Sequence, residues 1–381
     1  MKRTVFKEEH ELFRKSIQRF LDEEAMPYYK DWEKEKQVPR SFWKKMGEQG
    51  FLAPQVAEKY GGMGTNFLYN ALLSEEYNRV GSGLGGVGVH SDITVPYIEP
   101  LAVKKLKSHY LPKLVSGEMI CGIAMTEPGT GSDLANVKTT AVLEGDHYIV
   151  NGEKTFITNG YYGDLFVVVC KTDPNAEPAR RGISLLLVEA EYDGFSRGKK
   201  LEKLGQHAND TSELVFENVK VPKENLLGEE NKAFYYLMEK LQQERLMLSI
   251  SSINTAKIVL DQTIDYVKER KAFGTPISKF QNTQFKIAEM KSEIEIGRTF
   301  VDRLIEEHTA GNKVVNEVSM AKWWVTSLYK RVVNECLQLH GGYGYTEEYD
   351  VARRYRDAAV TSIYAGSNEI MKVIIAKNEG L

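Results

Sequence analysis

Cysteine is scarce: Cys121, Cys170 and Cys336 are the only three in 381 residues, odd in number and far apart. They offer no disulfide framework and point to a reducing compartment, with the cytoplasm as the default expectation. No apolar run approaches the ~20 residues that cross a bilayer. The opening MKRTVFKEEHELFRKSIQRFL lacks the apolar segment of a secretory signal, and it is acidic as well as basic, unlike a transit peptide. Neither sign of charge dominates, with 50 basic against 53 acidic side chains, so the electrostatic footprint of a nucleic-acid partner is missing. P-loop, G-x-S-x-G and C-x-x-C motifs are all absent. The seven histidines have no metal-ligand spacing, so no metal site is expected, and metal hydrolysis and Ser–His catalysis both lack their parts. One G-x-G-x-x-G does occur, at Gly83 to Gly88. It follows the polar helical text SEEYNRV rather than a strand, and reads as a flexible loop, not a nicotinamide site.

What is present is a globular composition, 42% hydrophobic and 27% charged, in a chain long enough for two or three domains. Residues 1–120 read as helical, opening with the stripe Phe13, Ile17, Phe20 and Leu21 and broken by Gly- and Pro-containing loops. From Cys121 to 229 the text changes to short Val-, Ile-, Thr- and Phe-rich runs between turn signals. AVLEGDHYIVNGEKTFITNG reads as a β-meander with Asn151-Gly152 as one of its turns, and LFVVVC and ISLLLVE read as central strands covered on both faces. Residues 230–381 return to helix. One long helix runs to about Arg270, a second carries Ile287, Met290, Ile294, Val301 and Leu304, and a third spans roughly Val315 to Leu339. A last helix after Gly366 completes four. The expected class is therefore α+β and mainly α: helical domain, middle β-domain, four-helix bundle.

The stretch LMEKLQQERLML, from Leu237 to Leu248, contains the most informative polar residue. Leu237, Leu241 and Leu248 recur at helical spacing, and Glu244 falls inside their apolar seam with Arg245 at its edge. Two readings fit: a core carboxylate satisfied by Arg245, or a general base whose pKa burial has raised. Elsewhere, Met125 to Asp133 (MTEPGTGSD) is a Gly-rich loop after a strand, with backbone N–H groups and hydroxyls suited to an anion. Phe156 and Thr158 share one strand face, suited to a flat heteroaromatic ring or to ordinary packing.

The order and spacing of these stretches resemble the acyl-CoA dehydrogenase family across essentially the whole chain. MTEPGTGSD is similar to its first signature and QLHGGYGY through YAGSNEI to its second, while KTFITNG and ERKAFG also fit. The resemblance implies an FAD flavoenzyme, usually a homotetramer passing electrons to electron-transferring flavoprotein, that oxidises acyl-CoA to trans-2-enoyl-CoA in fatty acid β-oxidation. It assigns Met125, Thr126 and Ser132 to the flavin or its phosphates, and Phe156 and Thr158 to the isoalloxazine. Arg270, Phe273 and Gln281 are assigned to the adenosine diphosphate end, joined by Gln338, Gly341 and Gly342 of a neighbouring subunit. Ser367 and Glu369 are placed near the flavin. Ser132, Arg245, Tyr364, Ala365 and Gly366 are placed around the substrate.

Many members carry the catalytic Glu where this chain has Ala365. The long-chain and isovaleryl-CoA branches place it on the first bundle helix just before an Arg, as Glu244-Arg245 stands here. LLGEENKAFYYLMEKLQQERL resembles the long-chain branch closely. The resemblance thus makes Glu244 the α-proton base. An acyl-CoA oxidase or nitroalkane-oxidase-like flavoenzyme would share these parts, and so would a catalytically silent acyl-CoA-binding member.

Overall fold

The computed structural model describes residues 3–381 and has three layers of organisation in chain order. Six helices come first: α1 (Glu8–Glu24), α2 (Tyr29–Glu35), α3 (Arg40–Glu48), α4 (Phe67–Val80), α5 (Val95–Leu101) and α6 (Lys104–Val115). α4 starts where the Asn66 side chain accepts the Leu68 N–H at 3.1 Å, which satisfies one of the donors a helix start leaves free. It is buried almost all round because it lies between α1 and the first helix of the bundle. Between α4 and α5, Gly83 to Gly88 is not the flexible loop expected from its glycines. It is a packed turn with Leu84 and Gly86 buried. A Cβ on Gly86 would come within 2.0 Å of the Asn159 side chain, so glycine is what permits the approach. Val89–Thr94 continues it as a π-helical turn.

The β-domain has eight strands: β1 (Cys121–Ala124), β2 (Thr140–Glu144), β3 (His147–Thr158), β4 (Leu165–Lys171), β5 (Ile183–Glu189), β6 (Phe195–Lys200), β7 (Thr211–Pro222) and β8 (Leu226–Leu227). Their order is β6-β7-β3-β2-β4-β5-β8, with β1 parallel to β4. β4 and β5 are buried on both faces, as their unbroken apolar text implies. Leu165, Val167 and Val169 pack with Tyr97, Ile98 and Leu237, while Phe166 and Val168 face a second core with Leu214 and Phe216. The turn expected at Asn151-Gly152 is not there. β3 runs straight through, with a bulge between Val150 and Gly152, because Gly152 (φ 146°) lies so close to Thr139 that a Cβ would come within 2.6 Å of its hydroxyl. Tertiary packing overrides the local turn preference of Asn-Gly.

The bundle consists of α7 (Ala233–Glu269), α8 (Gln281–Thr309), α9 (Val315–His340) and α11 (Asn368–Asn378), with a short hairpin of β9 (Lys271–Ala272) and β10 (Thr275–Pro276) after α7. The α9 stripe Val318, Ala321, Val325, Leu328, Val332 and Cys336 is buried throughout. A helix not anticipated, α10 (Asp350–Ala358), carries the fully buried Arg354. Its guanidinium donates to the Asn78 and Arg79 carbonyls at 2.7 and 3.0 Å, clamping the bundle to the end of α4. α7, about 55 Å long at ~1.5 Å per residue, contacts both the helical domain and the sheet, so side chains along it meet elements from all three regions.

Candidate active site

Glu244 lies on α7 between Leu241 and Leu248, as helical spacing requires, and its side chain is buried. Its partner is not Arg245. Tyr97 of α5 donates its hydroxyl to Glu244 Oε1 at 2.8 Å, whereas no ion pair joins Glu244 to Arg245 among the described residues, and Arg245 Nε has no hydrogen-bond partner. Adjacent helical residues point about 100° apart, so the two do not face each other. The guanidinium instead lies against Gly366, where an added Cβ would sit 3.7 Å from Nη2. Burial drives the Glu244 carboxyl up to about 7, only partly offset by the Tyr97 hydrogen bond and the Arg245 charge. The structural ion pair is therefore excluded, and a carboxyl half-ionised near neutrality remains. It opens onto a cavity of about 630 Å³.

Two loops face Glu244 across this cavity. Met125 to Asp133 is held from beneath by a buried pair, Glu127 and Lys154, 2.8 Å apart. Glu127 also accepts the Lys138 and Thr139 N–H groups at 2.6 and 2.9 Å, and Lys154 donates to the Met125 carbonyl at 3.1 Å. Next to this loop Phe156 is 68% exposed, with left-handed backbone (φ 59°) at a break in the β3–β7 register. A large ring held open in a strained conformation marks a place built for an occupant. The second loop, Tyr364 to Ser367, is also left-handed, at Ala365 (φ 54°) and Gly366 (φ 81°). Lys322 of α9, fully buried, fastens it by donating to the Gly366 carbonyl at 2.6 Å and to Asn368 Oδ1 at 3.0 Å.

Comparison with known proteins decides what this arrangement is. Models of the acyl-CoA dehydrogenase N-terminal, middle and C-terminal domains match residues 7–118, 122–219 and 231–380. The chain belongs to the acyl-CoA dehydrogenase family. It is 45% identical over 375 residues to the mitochondrial long-chain specific acyl-CoA dehydrogenase of Rattus norvegicus, covering 98% of this chain and 87% of that one. The crystal structure of an acyl-CoA dehydrogenase from Geobacillus kaustophilus superposes with a TM-score of 0.98 at 59% identity over the whole of both chains. A Mycobacterium smegmatis glutaryl-CoA dehydrogenase in complex with FADH2 gives 0.91 at 28% identity, covering 98% and 95%. The chain is an acyl-CoA dehydrogenase, an enzyme of a family of FAD flavoproteins, and its likeness to the long-chain branch extends over nearly its full length.

In this acyl-CoA dehydrogenase the residues expected at the site fall into two groups. Met125, Thr126, Ser132, Phe156, Thr158, Glu244, Arg245, Tyr364, Ala365 and Gly366 line the one cavity. Ser367 and Glu369 follow directly as the N-cap and first turn of α11, the Ser367 hydroxyl accepting the Ile370 N–H at 3.4 Å. Arg270, Gln338, Gly341 and Gly342 line a separate pocket of about 430 Å³. Phe273 stands almost fully exposed beside it, and Gln281 is exposed at the start of α8. A single subunit thus does not bring these two groups together.

Five residues of the site were not anticipated. Tyr97 lies far from Glu244 in sequence, and nothing local announces the bond. Lys322 did leave a signal, an ammonium next to Ala321 of the buried α9 stripe. The Glu127–Lys154 pair joins the loop after β1 to β3 and becomes visible only in three dimensions. Asp92, also lining the cavity, sits on the π-helical turn, whose period matches neither helix nor strand patterns. Burial raises its carboxyl to about 7, slightly offset by the amide of Asn70, which donates to Oδ1 at 2.8 Å.

Proposed function

We propose that this enzyme binds FAD and oxidises acyl-CoA thioesters to trans-2-enoyl-CoA, with Glu244 as the base that removes the α-proton. The observation that carries this reading is the buried, Tyr97-held carboxyl of Glu244 in the same cavity as Phe156 and the Ala365 loop. The residues present fit a flavin. Phe156 offers an exposed ring face, and among the described residues nothing lies within 4 Å of a Cβ added to Gly129 or Gly131, so the loop backbone is open to a large ligand. FAD, when bound, supplies the two-electron acceptance that takes the β-hydrogen as hydride.

The chain's own residues supply the rest. Burial keeps the Glu244 carboxylate basic enough to accept an α-proton near neutral pH, and Tyr97 fixes its orientation through Oε1. The backbone N–H of Ala365 donates to the thioester carbonyl, which acidifies the α-carbon. Replacing the family's more common Glu by Ala at this position leaves that N–H intact. Lys322 and Ser367 hold the loop in its left-handed form. Leu241, Met247 and Leu248 exclude water from around the base.

Electron-transferring flavoprotein is the acceptor this reading implies, with β-oxidation as the setting and the cytoplasm as the location. A homotetramer that completes the adenosine diphosphate site between subunits is supported by the separation of the two pockets. It is also supported by the large apolar side chains left exposed on the bundle, among them Phe273, Phe285 and Ile296. Anaerobic addition of acyl-CoAs from butyryl to octadecanoyl tests the reading. The flavin absorbance should bleach and recover slowly in air. Rapid recovery in air would make the protein an oxidase, and an absence of flavin would leave a silent acyl-CoA-binding protein.

A further inference from the structure

The cavity continues past Glu244, and its lining changes character on the way. Leu241 and Leu248 flank the carboxyl, but the next two turns of α7 present Ser251, Ser252 and Thr255, and α4 presents Asn78 opposite them. Ser252 is 1% exposed and its hydroxyl has no hydrogen-bond partner among the described residues. Leaving such a group unpaired costs about 1–3 kcal/mol, so the position calls for a polar occupant. Asn78 spends a donor on the Ser74 carbonyl at 2.6 Å, and its amide oxygen remains as an acceptor. Ser251 and Thr255 donate to the Leu248 and Ser251 carbonyls at 3.0 and 2.8 Å, which leaves their oxygens able to accept. One hydroxyl placed among these atoms could donate and accept at once, whereas a hydrocarbon end would leave Ser252 unpaired.

We infer that the acyl chain this enzyme is shaped for carries a hydroxyl group at its far end, received by Ser252 and Asn78. This inference rests on the acyl-CoA reading above and specifies its substrate class. Glu244 and Ser252 are about 12 Å apart along α7 at ~1.5 Å per residue. An extended chain advances ~1.1–1.2 Å per bond, so a group about ten or eleven bonds beyond the α-carbon reaches the polar end. A dodecanoyl chain hydroxylated at its terminus has that length. A site built to hydrogen-bond a hydroxyl discriminates strongly against the analogue lacking it, whereas an apolar pocket discriminates weakly.

The test compares ω-hydroxydodecanoyl-CoA with dodecanoyl-CoA on the flavin-loaded enzyme, using an artificial electron acceptor. The expected result is a kcat/KM at least tenfold higher for the hydroxylated thioester. That ratio should fall about tenfold in Ser252→Ala and again in Asn78→Leu, with flavin content as the check on folding. A preference for dodecanoyl-CoA, or a ratio unchanged in Ser252→Ala, overturns the inference while leaving the dehydrogenase reading in place. Failure of both thioesters to bleach the flavin overturns the two together.

Discussion

Replacing Glu244 by Gln should make the protein more stable, and increasingly so as the pH rises. The Glu244 carboxyl has a pKa near 4.5 when unfolded and about 7 when buried in the native cavity. Between those values the native state holds a proton that the unfolded state has released. Stability therefore falls as pH climbs through this window, and the loss persists above it. At ~1.4 kcal/mol per pH unit the gap amounts to about 3 kcal/mol at pH 8. Gln keeps the shape and still accepts from Tyr97, but carries no charge to desolvate. Thermal unfolding of the flavin-saturated parent and Glu244→Gln across pH 5 to 8 reads the difference. Near pH 5 the two melting temperatures should nearly coincide, and near pH 8 the variant should melt several degrees higher. A constant offset, or a variant that loses ground as pH rises, would mean that Glu244 is an ordinary ionised carboxylate and that the account of its environment is wrong.

Asp92 shares the cavity and a carboxyl raised to about 7, so Asp92→Asn separates the two acids. It should stabilise the protein above neutral pH in the same sense while lowering the rate of substrate-driven flavin bleaching by less than tenfold. Burial and the Arg245 charge bring the Lys322 ammonium down to about 8, so kcat should decline above that pH as the hold on Gly366 is lost. Lys322→Met should lower kcat about tenfold to a hundredfold, in line with the ~1.5–3 kcal/mol of a charge-assisted hydrogen bond, and should remove that decline. Glu127→Gln strands the buried Lys154 charge, and differential scanning calorimetry should register about 3–5 kcal/mol of destabilisation together with lower flavin content.

The parts of this fold that were legible are those where one-dimensional period and burial coincide. The α9 stripe and the doubly covered strands β4 and β5 are examples, and so is the direction in which α7 turns Glu244. Asn151-Gly152 misled because a two-residue turn preference is weak beside the close packing of Gly152 on Thr139. The charged text of α10 concealed Arg354, whose burial depends on carbonyls contributed by α4. At the site, sequence turned Glu244 into the apolar seam and brought both loops to the same cavity, but the pairing with Arg245 that it left open is not made. Arg245 is next to Glu244 in the chain and turned away from it in space, while Tyr97, remote in the chain, makes the hydrogen bond.

The most direct test of the central claim is stopped-flow flavin bleaching by acyl-CoA in Glu244→Gln. If Glu244 is the α-proton base, flavin content survives and bleaching slows by about 10²–10⁴, the usual worth of a general base. Ala365→Glu in that background should then recover part of the rate, if the two positions reach the same α-carbon. Near-normal bleaching in Glu244→Gln would contradict the account and move the search for the base to Asp92.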